Sequence, residues 1–313
     1  MIMADLSAIF GVVWAARFEL VRGMIDALAS GLRSTEADRG IRWAAGGRSR
    51  VGASVAVLPI YGMLDKRQSL MMDVFGGTST DSLSATFAQL VADPQIKGIV
   101  LDIDSPGGTA TGAPVLARQI YDARDRKPIV AVSNSEMDSA AYWIGSAAHR
   151  VYVSPDSQTG NIGVWSAAAD ESKALADAGV NVHVWRADGS PHKAELSGYE
   201  PFTAEAVAHE QSVVDSIYME FASAVAMHRG TTAAKVRSDY GKGRSFDARG
   251  AVSAGLADGV ATLDMVLQRM QSGRMTLGTL LDPKASADVI GEIDWSAENE
   301  TARRMSAHRR RGI

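Results

Sequence analysis

From Val55 onward the sequence alternates short apolar runs with segments of helical period, and this alternation limits the fold more than any other feature. Val55 to Ile60 reads as a strand, Asp81 to Ala92 as a helix capped by Thr80 or Asp81, and Ile96 to Ile103 as an apolar run of strand length. Pro114 to Arg126 reads as a helix, Pro128 to Val132 as a strand and Ser139 to Ala148 as a helix. Arg150 to Val153, Ile162 to Trp165 and Val180 to Trp185 are expected to be extended, and Asp170 to Ala178 helical. Thr203 to Arg229 is then a long helix with Val207, Val214, Ile217, Phe221 and Val225 on one side. Strands alternating with helices at this spacing predict an α/β domain with mostly parallel pairing.

The chain has 313 residues, of which 46% are hydrophobic, enough to fill one large core or two small ones. Lys and Arg number 32 against 36 Asp and Glu, a net charge of −4, which disfavours a globally basic nucleic-acid binder. There is no cysteine. Disulfides, thiolate nucleophiles, zinc ribbons and iron–sulfur clusters are excluded together, so covalent catalysis would need another nucleophile.

Composition divides the chain into three parts: 1–52 as a helix and linker arm, 53–272 as the folded domain, and 273–313 as a mixed-charge, partly disordered tail. Leu6 to Ala16 is uncharged for eleven residues, but Arg17, Glu19, Arg22 and Asp26 follow, too soon for a spanning helix, which wants about 18 or more. No Lys or Arg precedes Arg17, so the stretch does not read as a signal peptide. Leu6, Phe10, Val13, Val21, Met24 and Leu28 instead predict an amphipathic helix that docks on a partner or on the body.

Three loops carry residues that a plain connector does not need. In Asp104-Ser105-Pro106-Gly107-Gly108 the paired glycines allow close backbone approach, and two free amides at a helix start would form an anion-accepting nest. In the second loop, Ser139 stands at a strand-to-helix turn followed by Ala140 and Ala141, the arrangement that exposes a nucleophilic hydroxyl; the bland reading makes Ser139 or Asp138 an N-cap. The Ala140 amide could help hold an oxyanion. The third loop, Asp188 to Lys193, offers a base. His149 lies too far along its helix, leaving His183, His192 or Lys193; a lysine would have to be neutral, which requires burial by substrate or a neighbouring subunit.

Together these loops resemble the serine–lysine peptidases of the signal peptide peptidase A family, including the phage capsid peptidases known as protein C. The resemblance covers about Val55 to Met270. It rests on Ile96-Lys97-Gly98-Ile99-Val100-Leu101 leading into Ser105-Pro106-Gly107-Gly108, on Ser139-Ala140-Ala141-Tyr142-Trp143-Ile144, and on Thr159-Gly160-Asn161-Ile162-Gly163-Val164. Lys193 followed by Glu200-Pro201-Phe202-Thr203, and Gly255-Leu256-Ala257-Asp258-Gly259, complete it in order. It implies a Clp protease/crotonase-like spiral of ββα units, with Ser139 as nucleophile, Lys193 as general base, and Gly107, Gly108 and Ala140 as oxyanion donors.

The family often has Gly-Gly where this chain has Ala140-Ala141, and many members have a serine where Asn161 stands. The Asn161 side-chain carbonyl could accept from the lysine in its place. The resemblance further implies catalysis without metal or other cofactor, a homo-oligomer whose neighbouring subunits share each site, and capsid, scaffold or portal polypeptides as substrates in a bacterial cytoplasm. Two other readings keep the same fold: a crotonase-like acyl-CoA enzyme, and a non-catalytic capsid assembly component.

Overall fold

The computed structural model describes residues 14–16, 50–52, 54–68, 72 and 76–281. The centre is a parallel array of three strands: β3 (Val55–Tyr61), β6 (Gly98–Ser105) and β8 (Ile129–Asp138). Alternate side chains of these strands face opposite sides, and both sides are buried. Leu58, Ile60, Ile99, Leu101 and Ile103 pack with Leu83, Phe87, Leu116 and Ile120 from the helices Thr80–Ala92 and Ala113–Asp122. Val55, Val100, Val130 and Val132 meet Val266 and Met270 of the helix Leu263–Gln271 on the other side. Burial on both faces is why these segments are nearly continuous in apolar residues rather than alternating.

The sheet is extended at one edge by β2 (Arg50–Gly52), antiparallel to β3. Beyond β8 come β9 (Arg150–Val153) and β10 (Gln158–Gly160), both parallel to it, then β11 (Ser245–Asp247) beside β10 and β12 (Gly259–Val260) beside β9. A second, four-stranded sheet is ordered β1 (Trp14–Ala16), β7 (Gly107–Thr109), β4 (Met63–Asp65), β5 (Gly77–Ser79). It is built from the continuations of β3 and β6, so the strands that form the core also lead into the smaller sheet.

Several expected elements are corrected. Trp14–Ala16 is a strand, which rules out one unbroken helix from Leu6 to Leu28; the rest of that helix lies outside the described residues. The start of the expected 273–313 tail is folded, with the helix Leu277–Leu281 and with Met275 and Leu280 buried in the core, and its remainder from residue 282 lies outside the described residues. The end of the expected linker, Arg50–Gly52, is likewise a strand. Ser79, not Thr80 or Asp81, caps the first helix, its Oγ accepting from the Ser82 amide at 3.3 Å. The Gly107-Gly108 pair opens no helix but lies in β7, and the next helix starts at Ala113. Ile162 to Trp165 and Val180 to Trp185 join no ladder, apart from a bridge between Trp165 and Trp14. Apolar alternation marks a segment able to pair, and whether it does depends on a free neighbouring edge.

The helix Ala204–His228 is buried mainly toward its C-terminal end, where Phe221, Ala222, Val225 and Ala226 pack on the body and Phe221 stacks on Trp143 at 4.4 Å; in the first turns only Ala206 is buried. Its first turns project outward, with Val207 exposed. The turn after it is held by Asp258, whose Oδ2 accepts from the Val151 amide at 2.7 Å and from Arg229 Nη1 at 2.8 Å. No helix among the described residues is long and apolar enough to cross a membrane.

Candidate active site

Ser139 is the junction between β8 and the short helix Ala140–Gly145. Its backbone is at φ 55°, ψ −120°, a conformation that a side-chain-bearing residue adopts at a cost of about 1–3 kcal/mol. The turn is fixed on both sides: the Ser139 amide donates to Gly160 O at 2.7 Å, and its carbonyl accepts from the Trp143 amide at 2.9 Å. Although Ser139 occupies the N-cap position, its side chain caps nothing. Oγ lies 3.5 Å from Gly163 O, at the limit of a hydrogen bond, so the hydroxyl is held only loosely. Such a turn turns the hydroxyl out of the helix instead of into a capping bond.

Next to this turn runs the glycine strand. The helix Ala140–Gly145, which begins at the residue after Ser139, packs against β7, the strand that holds Gly107 and Gly108. Gly107 is at φ 97°, and a Cβ on Gly108 would stand 1.7 Å from Leu64 O, so neither position accepts a side chain. Ser105 Oγ donates to Gly62 O at 2.7 Å and accepts from the Gly107 amide at 3.2 Å, which ties the loop to the smaller sheet. Beside it, burial raises the pKa of Asp104, opposed by the hydrogen bond from Ser135 and reinforced by the nearby Glu136 and Asp102 charges.

On the far side of Ser139 a polar chain runs through the interior. Asn161, at φ 49°, donates from Nδ2 to Ser245 Oγ at 3.5 Å, and Ser245 Oγ donates to Asp138 Oδ2. This leaves Asn161 Oδ1 as an acceptor. Asp138 and Ser245 did not stand out in the sequence. An acidic residue immediately before a serine at a strand end was the available signal for Asp138, whereas Ser245 reaches the site only because β11 pairs with β10.

Lys193 is placed differently. It lies in an exposed turn, where its carbonyl accepts from Arg186 Nε at 2.6 Å, and Arg186 in turn pairs with Glu200 at 2.5 Å. Among the described residues no hydrogen bond joins Lys193 to Ser139. The two histidines weighed as bases are also on the surface: His192 Nδ1 is 3.0 Å from Glu195 and His183 lies against Trp185. Trp185 is 86% exposed, and Val180, Val182 and Tyr199 are exposed with it. Beside the site, a cavity of about 410 Å³ is lined by Val164, Trp165, Leu196, Phe202, Val207 and Val214.

The parallel α/β sheet, with a strained serine closing one of its core strands, is that of the Clp/crotonase-like fold, and the comparisons give the family. Residues 122–276 match peptidase family S49, and the chain carries a domain of that family; the span includes Ser139 and Lys193 and starts after Gly108. The chain is 36% identical over 209 residues to the head-tail preconnector protein GP5 of Enterobacteria phage P21, covering 67% of this chain and 41% of that protein. It is 30% identical over 262 residues to the capsid assembly protease C of Escherichia phage lambda, covering 79% and 59% respectively. Protease 4 of Salmonella typhi is 27% identical over 214 residues, covering 68% and 33%. The chain thus spans between about one third and three fifths of these relatives.

Proposed function

We propose that this protein is a serine endopeptidase of phage head maturation, with Ser139 as nucleophile and Lys193 of a neighbouring copy as general base. The observation that carries the reading is the Ser139 turn, with its positive φ and uncapped hydroxyl, at the start of a helix that packs against the strand of Gly107 and Gly108. The neutral Lys193 amine would take the Oγ proton as Oγ bonds to a peptide carbonyl carbon. The amides of Ala140 and the Gly107-Gly108 strand would hold the oxyanion. The lysine then passes its proton to the departing amine, and water releases the acyl-enzyme. Asn161 Oδ1 would accept from the ammonium and hold the lysine in place.

Lys193 is exposed within one chain, and Val180, Val182, Trp185 and Tyr199 in the same stretch of sequence are exposed too, which supports a base completed by assembly. Large apolar side chains left in solvent are the kind that a contact face covers. The names of the two phage relatives support capsid, scaffold or portal polypeptides as substrates, and the cytoplasm of a bacterial host as the place of action. Fluorophosphonate labelling of the assembled protein tests the reading. Ser139 should be labelled, Ser139→Ala should not be, and Lys193→Ala should lose both labelling and cleavage of coat protein. An assembled, folded protein that takes no label would overturn it.

A further inference from the structure

The strand β1 is paired on both of its edges. It runs antiparallel along the glycine strand, with Trp14 opposite Thr109, Ala15 opposite Gly108 and Ala16 opposite Gly107. Its other edge is also occupied: the Trp14 amide donates to Trp165 O at 2.8 Å and the Trp165 amide to Trp14 O at 2.9 Å. Trp165 follows closely on Gly163, whose carbonyl meets Ser139 Oγ. A segment paired on both edges is held by its main chain whatever its sequence, which is how a groove takes an extended polypeptide.

The register singles out one bond. Successive residues of a strand turn their backbone groups to opposite sides. Both groups of Trp14 are engaged with Trp165, so the amide and carbonyl of Ala15 face Gly108, the strand assigned to the oxyanion. The Trp14 ring is buried and stacks on Trp165 with centroids 6.2 Å apart, which anchors the register one residue before that carbonyl.

We propose that Trp14–Ala16 is a substrate of the chain's own site and that the Ala15–Ala16 bond is the one cut; this rests on Ser139 being the nucleophile. Ser139 Oγ bonds to the Ala15 carbonyl carbon as the C–N bond to Ala16 breaks. The Oγ proton reaches the Ala16 nitrogen by way of Lys193, and water then frees the Ala15 carboxylate. Until cleavage the strand occupies the groove and competes with any other polypeptide for it.

Intact-mass analysis and N-terminal sequencing of the full chain, beside Ser139→Ala, test this. The active chain should lose residues 1–15 and begin at Ala16, while Ser139→Ala keeps them. A peptide of residues 9–23 supplied to the assembled enzyme should be cut between the same two alanines. Fluorophosphonate labelling and casein hydrolysis on the same samples separate the two levels of the reading. A chain that labels and hydrolyses casein but keeps the Ala15–Ala16 bond, in itself and in the peptide, overturns the self-processing and leaves the peptidase intact. A chain that neither labels nor hydrolyses casein overturns both.

Discussion

Gly108 shows how one residue can answer to structure and chemistry together. A methyl group there would overlap the Leu64 carbonyl, a backbone atom that cannot rotate away, so β7 would have to part from β4. Gly108→Ala is therefore expected to cost about 2 kcal/mol in urea unfolding and to abolish fluorophosphonate labelling, because the same displacement would move the amide off the oxyanion it is proposed to hold. The strand-to-helix turn at Ser139 was legible from the residues around it, since a serine at a strand end followed by small residues is a local pattern. Asp138 and Ser245 were not, because the hydrogen bond between them joins positions 107 residues apart.

At the scale of elements, the long helix Ala204–His228 is anchored by its last turns. Phe221 is fully buried against Trp143, with the rings 4° from parallel, so Phe221→Ala should destabilise the fold by about 3–5 kcal/mol in thermal or urea melts. Val207→Ala, on the exposed first turns, should move the stability of a single chain by less than about 0.5 kcal/mol. The same region sets a pH limit. Burial, then the Arg124 charge, lowers the pKa of both His149 and His228 to about 4. Both are neutral in the fold at pH 7, and below about pH 6.5 the unfolded chain takes up protons that the folded chain refuses. Stability should thus be complete above about pH 6.5 and fall between there and pH 4, by on the order of 2 kcal/mol per histidine, as a series of melts across that range would record. The helices and core strands were legible because their apolar period is local. Val180 to Trp185 was misread because pairing needs an edge that the chain itself does not offer there.

For the whole molecule, Lys193 on an exposed turn and Ser139 in the interior, taken as the proposed base and nucleophile, predict that activity belongs to the assembly. Ser139→Ala and Lys193→Ala should each be inactive alone, yet recover activity when unfolded, mixed and refolded together. With random mixing in a closed ring, roughly a quarter of the sites would combine an intact serine with an intact lysine from the next copy. Casein hydrolysis by the mixture measures this, and no recovery in a mixed oligomer would place both groups in one chain. By itself the sequence determined the α/β class, the order of the core elements and the exclusion of cysteine chemistry, because period, length and composition are properties of neighbouring residues. Only the tertiary structure decided that the paired glycines form a strand, that Asn161, Ser245 and Asp138 join behind the serine, and that Trp14–Ala16 pairs with the glycine strand instead of forming part of a helix. Those outcomes depend on which distant backbone edges meet, and edge pairing is settled by the packing of the whole sheet.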